Sequence, residues 1–445
     1  MRIKIERSKE EINSVGRISI IGRILNKINN LKKLNTMKFD KVKSGTMSHL
    51  DIAKSFAGLL SLGKTDYADI EIYRKDQFFK DSLNLSNVPS EETLRQRLNE
   101  LSTGEKVFNI ILKSNVELLS DIKEFGAEKT EHSGYIPIDA DVSVMDNSGS
   151  SKEGVSFSYA KVDGYAPMFA YIGTHGYMLN CELRPGSQHS NKGTAEFIQE
   201  TLDAIKPLGL KNPLIRLDSG FDDEKLIEFL KKYSSLFFLI KRNLRKESLD
   251  SWLSLAKAVG KCSSPRKGKN IYTGAVTHIY PRGNEELGPI FTVFEVIERT
   301  ITSSGEELLI PEIEVNTWWT NLCEEPETVI EFYHKHGTSE QFHSELKSDL
   351  GLERLPSGKF STNDLILRLG MLSFNALRLI GQTALECKDK FIKGIDVIRR
   401  RIRSVLQDFI YIACKRVFHS GIITLKFGRN NPFTDVFRKI YATAC

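Results

Sequence analysis

Hydrophobic positions change their period three times along the chain. In the first 128 residues they recur every three or four positions. "MSHLDIAKSFAGLLSLG", "ADIEIYRKDQFFKDSLN" and "PSEETLRQRLNELS" each read as a helix with one apolar stripe. The last carries its own start signal: Ser90 follows Pro89 as N-cap, and Glu91 and Glu92 sit in the first turn, where the helix dipole favours them. Short helices joined by turns, the last bearing Arg95 and Arg97, suit a helix-turn-helix reader of DNA; the plain alternative is a helical bundle.

From about residue 135 the period shortens. "YIPIDADVSV", "APMFAYIG" and "YMLNCELRPG" predict three strands in succession. "GTAEFIQETLDAIKPLG" is an amphipathic helix ending in Gly, "NPLIRLDSGF" a buried strand, "DDEKLIEFLKKYS" a helix and "SLFFLIKRN" a strand. Three strands followed by alternating helix and strand predict an α/β fold: a mixed sheet covered by helices. Residues 245–326 return to strand patterns. "NIYTGAVTHIYPRG" and "GPIFTVFEVIERTITSSGEELLIPEIEVNTWWTNL" predict hairpins, the second turning at Ser-Ser-Gly. A helix follows at "EFYHKHGTSEQFHSELKSDLG" (331–351), and the rest is mostly helical with one strand candidate, "GIITLKFG". The boundaries predicted are 1–128 for the helical region, 129–244 for the first part of the core, 245–326 for a β-rich insertion, 327–385 for the helix that ends the core and 386–445 for the C-terminal region. No repeat and no low-complexity linker interrupts this order.

Composition narrows the class. No apolar run reaches the length of a membrane span, and the charged start lacks the apolar core of a signal peptide. The six cysteines are scattered without a Cys-x-x-Cys, so neither a zinc site nor a disulfide frame is expected. A reduced, cytoplasmic protein fits that usage. The net charge of +6 is a mild bias. Its distribution says more: Lys and Arg cluster in residues 2–43, in "FLIKRNLRK", which holds Lys241 and Arg242, and in "SSPRKGKN". Several basic clusters on one chain point to a phosphate-bearing partner.

Two strand ends carry acids. Asp139 and Asp141 alternate with apolar residues and so face one side of a strand. Asp218 ends an apolar strand, and Gly220 lets the chain turn after it. Ligand sites in open α/β sheets lie at such carboxyl ends. On the helix after the insertion, at about 100° per residue, Tyr333, His336, Glu340 and Lys347 fall near about 0°, −60°, −20° and −40°. That is one polar stripe, read either as a solvated charged face or as one wall of a site. Three carboxylates drawn from two strands and a helix could hold divalent ions for phosphoryl transfer. His175 and His189 have no neighbour at ligand spacing and read as ordinary polar residues.

These pieces together resemble the DDE transposases of bacterial insertion sequences, and within them the transposase DDE domain group 1, related to enzymes with a Tyr-x2-Arg-x3-Glu-x6-Lys signature. The resemblance spans about residues 45–430 and rests on "DADVS", "LDSGF", "TNL" and the stripe from Tyr333 to Lys347. The family's first aspartate is followed by x-Thr/Ser, which Asp141-Val142-Ser143 matches, so the resemblance selects Asp141 over Asp139. It implies a ribonuclease-H-like core in which Asp141, Asp218 and Glu340 bind two ions, Mg²⁺ or Mn²⁺. It implies DNA as partner, both transposon ends and target, and a homodimer when two ends are held together. Tyr333 and Lys347 would touch phosphate near the cut, and a tryptophan such as Trp319 would stack a displaced base. The implied activity is DNA cleavage and strand joining; the alternatives are a DNA-binding derivative without catalysis, or a nuclease of the same fold. One departure stands out: His336 occupies the place of the signature's arginine.

Overall fold

The computed structural model describes residues 3–6, 10–39, 47–278, 290–387 and 397–443. The N-terminal part is helical, with α1 (Ser19–Lys27), α2 (His49–Leu60), α3 (Glu91–Leu101) and α4 (Glu105–Ser120). Ser90 caps α3 as expected, accepting from the Thr93 N–H. The helix predicted over residues 68–84 is instead two pieces, a 3-10 turn at Tyr67–Tyr73 and a short helix at Gln77–Ser82. The break falls at Asp76, whose side chain accepts from the N–H groups of Phe78 and Phe79 and so starts a new helix.

The central sheet has ten strands. Its core is β1 (Gly134–Val142), β2 (Met168–Ile172), β3 (Tyr177–Glu182), then α5 (Thr194–Ile205), β4 (Pro213–Leu217), α6 (Glu224–Lys231) and β5 (Phe237–Arg242). The order across the core is β3-β2-β1-β4-β5, with β1 antiparallel to β2 and parallel to β4, and β4 parallel to β5. All five predicted strands are present. A two-residue strand, Glu128–Lys129, pairs with β1.

The insertion holds α7 (Leu249–Val259), β6 (Lys261–Arg266), β7 (Lys269–His278), β8 (Ile290–Ile301) and β9 (Glu307–Thr320). Its strands do not form a sheet of their own. β9 pairs antiparallel with β5, so the order continues β6-β7-β8-β9-β5. Helix α7 was not predicted, although Ser248 caps it and Gly260 follows its end. The predicted hairpin strand through "NIYTGAVTHIYPRG" is β7 as far as His278; its last five residues lie outside the described ones.

After the sheet come α8 (Pro326–His334), α9 (Ser339–Ser344) and the long α10 (Phe360–Glu386), then β10 (Cys414–His419), β11 (Ile422–Phe427) and α11 (Thr434–Thr443). The single strand expected near the C-terminus is one arm of a hairpin. Ser420 and Gly421 both have positive φ, the geometry of a two-residue hairpin turn. The other arm, β10, also pairs with Ile12–Asn13.

The alternation of the core strands sorts their side chains. Ile138, Ala140, Val142, Ile215, Leu217, Phe238 and Ile240 pack on one face with α5 and α6. Tyr135, Leu214, Leu239 and Trp318 pack on the other with α8, and Phe169, Tyr171 and Met178 there join α9, α10 and the N-terminal helices in one large cluster. Between β2 and β3 the register slips at Ala170/Tyr171. The backbone groups opened there are met by side chains: Asn375 of α10 accepts from Met178 N–H, and Asn115 of α4 donates to the carbonyls of Met178 and Leu179.

Candidate active site

Asp139, Asp141, Arg216 and Asp218 all point to the face of the sheet that α8 covers, by the same alternation. β1 and β4 run parallel with Asp139 beside Arg216. Arg216 grips Asp139 with both ends, Nε to Oδ1 at 2.6 Å and Nη2 to Oδ2 at 2.7 Å. Its Nη1 donates to Glu128 at 3.1 Å and to the Phe332 carbonyl of α8 at 2.7 Å. His336 Nδ1 completes the knot, 2.8 Å from Asp139 Oδ1. Burial opposes ionisation of Asp139, but Arg216 and His336 outweigh it and hold the carboxyl below its ordinary value. Asp139 is therefore engaged inside the protein, and this network ties β1, β4 and α8 together.

Two residues further along each strand, the carboxylates have no such arginine among the described residues. Asp141 accepts from the Val142 N–H at 2.7 Å and remains partly open to solvent. Asp218 accepts from the Gly220 N–H at 2.9 Å, and a Cβ at Gly220 would sit only 3.1 Å from its Oδ1. Burial, then the negative charge of Asp141, raises the Asp218 carboxyl above its ordinary value. The two acids thus repel each other across the strand ends. Tyr159 closes one side; its hydroxyl donates to the Val142 carbonyl and is pushed up to about 12 by burial and then by both aspartates. Tyr333 is raised for the same reasons. Lys347 donates to the Val144 carbonyl; burial lowers its ammonium, and Glu353 and Asp141 oppose that.

The polar stripe does not lie on one regular helix. α8 ends at His334, a 3-10 turn spans Lys335–Thr338, α9 follows, and a π-helical turn covers Glu345–Asp349. Each break changes the residues per turn, so angles counted at a fixed 100° drift. Tyr333 is half-buried against Trp318, at 5.7 Å between ring centroids, and against His336, at 5.8 Å. His336 is buried with Nδ1 on Asp139, so a phosphate contact by its ring would fall to Nε2. Glu340 is exposed and lines a cleft of about 590 Å³ with Gln341, Ser344, Arg399 and Arg401. The structure brings Asp141, Asp218, Tyr333 and Lys347 into one electrostatic neighbourhood, whereas Glu340 faces the cleft with Arg399 and Arg401 and no contact joins it to the two aspartates among the described residues. Among the described residues, no three His, Cys, Asp or Glu side chains converge closely enough to cage an ion. What the site does hold is a pair of carboxylates whose like charges repel, oxygen donors of the kind a hard divalent cation takes.

The remaining expected residues lie apart from this centre or inside the fold. Arg95 is exposed and paired with Glu92; Arg97 is paired with Glu100 at 2.7 Å. Lys241 is half-buried over the Trp318 ring at 4.3 Å, hydrogen-bonded to Asn316, and lowered by burial to about 8. Arg242 pairs with Glu247 and lies 4.9 Å over the Trp319 ring. Trp319 is buried on the α5–α6 face and donates to Asp222 at 2.9 Å, so no base stacks on it in this arrangement. Asn321 of "TNL" pins the end of β9 to the start of β5 through Phe238 N–H and the Leu236 carbonyl. Arg216, His343 and Tyr159 were not singled out from the sequence. Arg216 had a signal, a charge inside the apolar strand "LIRLD" on the same face as Asp218.

The chain matches the family model described as transposase DDE domain group 1 over residues 3–444. Among solved structures it is similar to the cryo-EM structure of a piggyBac transposase synaptic complex with hairpin DNA, at 12% identity and a TM-score of 0.42, covering 89% of this chain and 78% of that one. No curated protein matches it.

Proposed function

The chain belongs to the transposase DDE domain group 1 family, and we propose on that footing that it is a DNA transposase that cuts transposon ends and joins them to target DNA by metal-dependent phosphoryl transfer. The observation that carries the chemistry is the Asp141–Asp218 pair at adjoining ends of parallel strands, where burial and then the charge of Asp141 raise the Asp218 carboxyl. The strand order β3-β2-β1-β4-β5 supports reading the core as ribonuclease-H-like. Asp141, Asp218 and, by the signature, Glu340 would hold two Mg²⁺ or Mn²⁺ ions. Ions so held supply an activated water or 3′-hydroxyl and neutralise the leaving oxygen. The chain's own groups do the rest. The Arg216–Asp139–His336 knot fixes the strand ends against α8. Lys347 and Tyr333 border the aspartates where a phosphate would lie, and an anion there would oppose the lowering that burial imposes on the Lys347 ammonium. Arg95, Arg97, Lys241 and Arg242 supply candidate phosphate contacts away from the centre, and a homodimer would hold the two ends.

The test uses duplexes carrying the DNA that borders this coding sequence, in Mg²⁺, with a gel-shift alongside. Asp141→Asn, Asp218→Asn and Glu340→Gln are each expected to lose cleavage by at least about 10³-fold while retaining DNA binding, because each keeps shape and loses charge. Full cleavage by Asp141→Asn would remove the site. Cleavage without joining by the wild type would make the protein a nuclease of this fold.

A further inference from the structure

Asp141 presents two oxygens, and only one is occupied. Oδ1 accepts from the Val142 N–H at 2.7 Å. Oδ2 faces Nε2 of His343 on α9 at 3.5 Å. That gap is too long for a good hydrogen bond, and Nε2, although buried, has no hydrogen-bond partner among the described residues. His343 is only 5% exposed, wedged between Phe169 and Tyr171 with ring centroids 5.2 and 5.3 Å away. Its Nδ1 lies 3.3 Å from the Tyr171 hydroxyl oxygen. A buried ring nitrogen without a partner costs free energy. Here it is aimed at the Asp141 oxygen that accepts no hydrogen bond among the described residues.

The spacing has a simple reading. Two ligand atoms each about 2.1 Å from one ion, at angles of about 90–110°, lie about 3.0–3.5 Å from each other. If Nδ1 carries the ring proton and donates to the Tyr171 oxygen, Nε2 is left with its lone pair pointing inward, the tautomer that a metal ligand needs. We infer that His343 is a nitrogen ligand that shares one ion with Asp141 Oδ2, making that position favour Mn²⁺ over Mg²⁺ more strongly than an all-carboxylate site would. Imidazole binds the softer transition ions, whereas Mg²⁺ prefers oxygen.

This inference rests on the metal reading of the Asp141–Asp218 pair, and the experiment separates the two. Full-length protein is titrated with Mn²⁺ and with Mg²⁺, and the bound Mn²⁺ is examined by pulsed electron paramagnetic resonance, with and without ¹⁵N-histidine. Wild-type protein should show a directly bound histidine nitrogen, identified by the change on ¹⁵N labelling. His343→Phe, which keeps a ring among Phe169 and Tyr171, should lose that signal and weaken Mn²⁺ by about 10–100-fold while changing Mg²⁺ less. His343→Gln serves as a second variant if the first does not fold. Mn²⁺ bound through Asp141, by its loss in Asp141→Asn, but with no nitrogen coupling would overturn the inference and leave the metal site standing; His343 would then be a hydrogen-bond donor to the carboxylate. Nitrogen coupling that persists in both His343 variants would also overturn it. Mn²⁺ binding that Asp141→Asn leaves unchanged would remove the metal reading itself.

Discussion

At the scale of single residues, the two aspartates of "DADVS" have separated roles that the sequence could only present as alternatives. Both point to one face, and alternation alone cannot divide them. What divides them is the partner strand: Arg216 stands beside Asp139, and among the described residues no arginine stands beside Asp141. The knot predicts its own energetics. Arg216→Met should destabilise the protein by about 3–5 kcal/mol in chemical denaturation, because it strands buried carboxylates. Adding Asp139→Asn should recover part of that loss, since the two positions are coupled. Asp218 behaves in the opposite sense. Its folded carboxyl is raised above the ordinary 3.8, so its contribution favours the fold at low pH and is lost as pH rises through the raised value. At neutral pH its charge is a cost. Asp218→Asn should therefore raise the melting temperature of the metal-free protein at pH 7, and the advantage should fade as pH falls through the raised value and be gone below about 4. An unchanged or lower melting temperature at pH 7 would show that the repulsion is relieved in some other way.

At the scale of elements, the strands were legible and the signature helix only in part. The five core strands announce themselves because each is a run of β-branched and aromatic residues bounded by turn formers. The segmentation of 331–351 had no comparable mark. Its breaks arise where the segment must satisfy the strands below it and the arginines beside it: Phe332 gives its carbonyl to Arg216, Glu345 meets Arg378, and Asp349 meets Arg401. These are tertiary demands, invisible to a period. α7 was overlooked for another reason, since a helix inside a strand-rich stretch is outvoted by its surroundings. The placement of α9 on the sheet is tight at one point. Gly176 has φ +69°, and a Cβ there would come within 2.3 Å of the Phe342 ring. Gly176→Ala should cost about 1–3 kcal/mol. It should also weaken Mn²⁺ binding, because His343 follows Phe342 directly. A variant of wild-type stability would show that α9 shifts freely over β3.

At the scale of the whole molecule, the order of elements was readable but their company was not. The N-terminal helices read as a separate DNA reader because nothing in residues 1–128 reveals what their apolar faces meet. Those faces meet α10 and the C-terminal segment: Ile18, Ile24, Phe56 and Leu98 lie in one cluster with Phe374, Phe409 and Phe437. A fragment of residues 1–128 is therefore expected to bind a dye of exposed apolar surface and to melt without cooperativity, whereas the full chain does neither. Any DNA contact by α3 belongs in a full-length assay. There, Arg95→Gln should reduce the slope of log affinity against log salt by about one if Arg95 touches phosphate. An unchanged slope would assign DNA recognition to other basic surface.

That shared core has a consequence during synthesis. Residues 18–119 leave the ribosome well before the segment from 360 to 440 that completes their packing. At about 5–20 residues per second, the gap lasts roughly 15–65 s. For that time, the apolar faces of the N-terminal helices wait for a partner not yet made. The chain must remain shielded by chaperones, or lightly collapsed, until its last tenth emerges. A product truncated by a stop codon or frameshift after residue 350 would be an orphan, prone to aggregation and degradation, instead of a leaner protein that competes for DNA. Its abundance would then be set by where translation ends more than by where it begins.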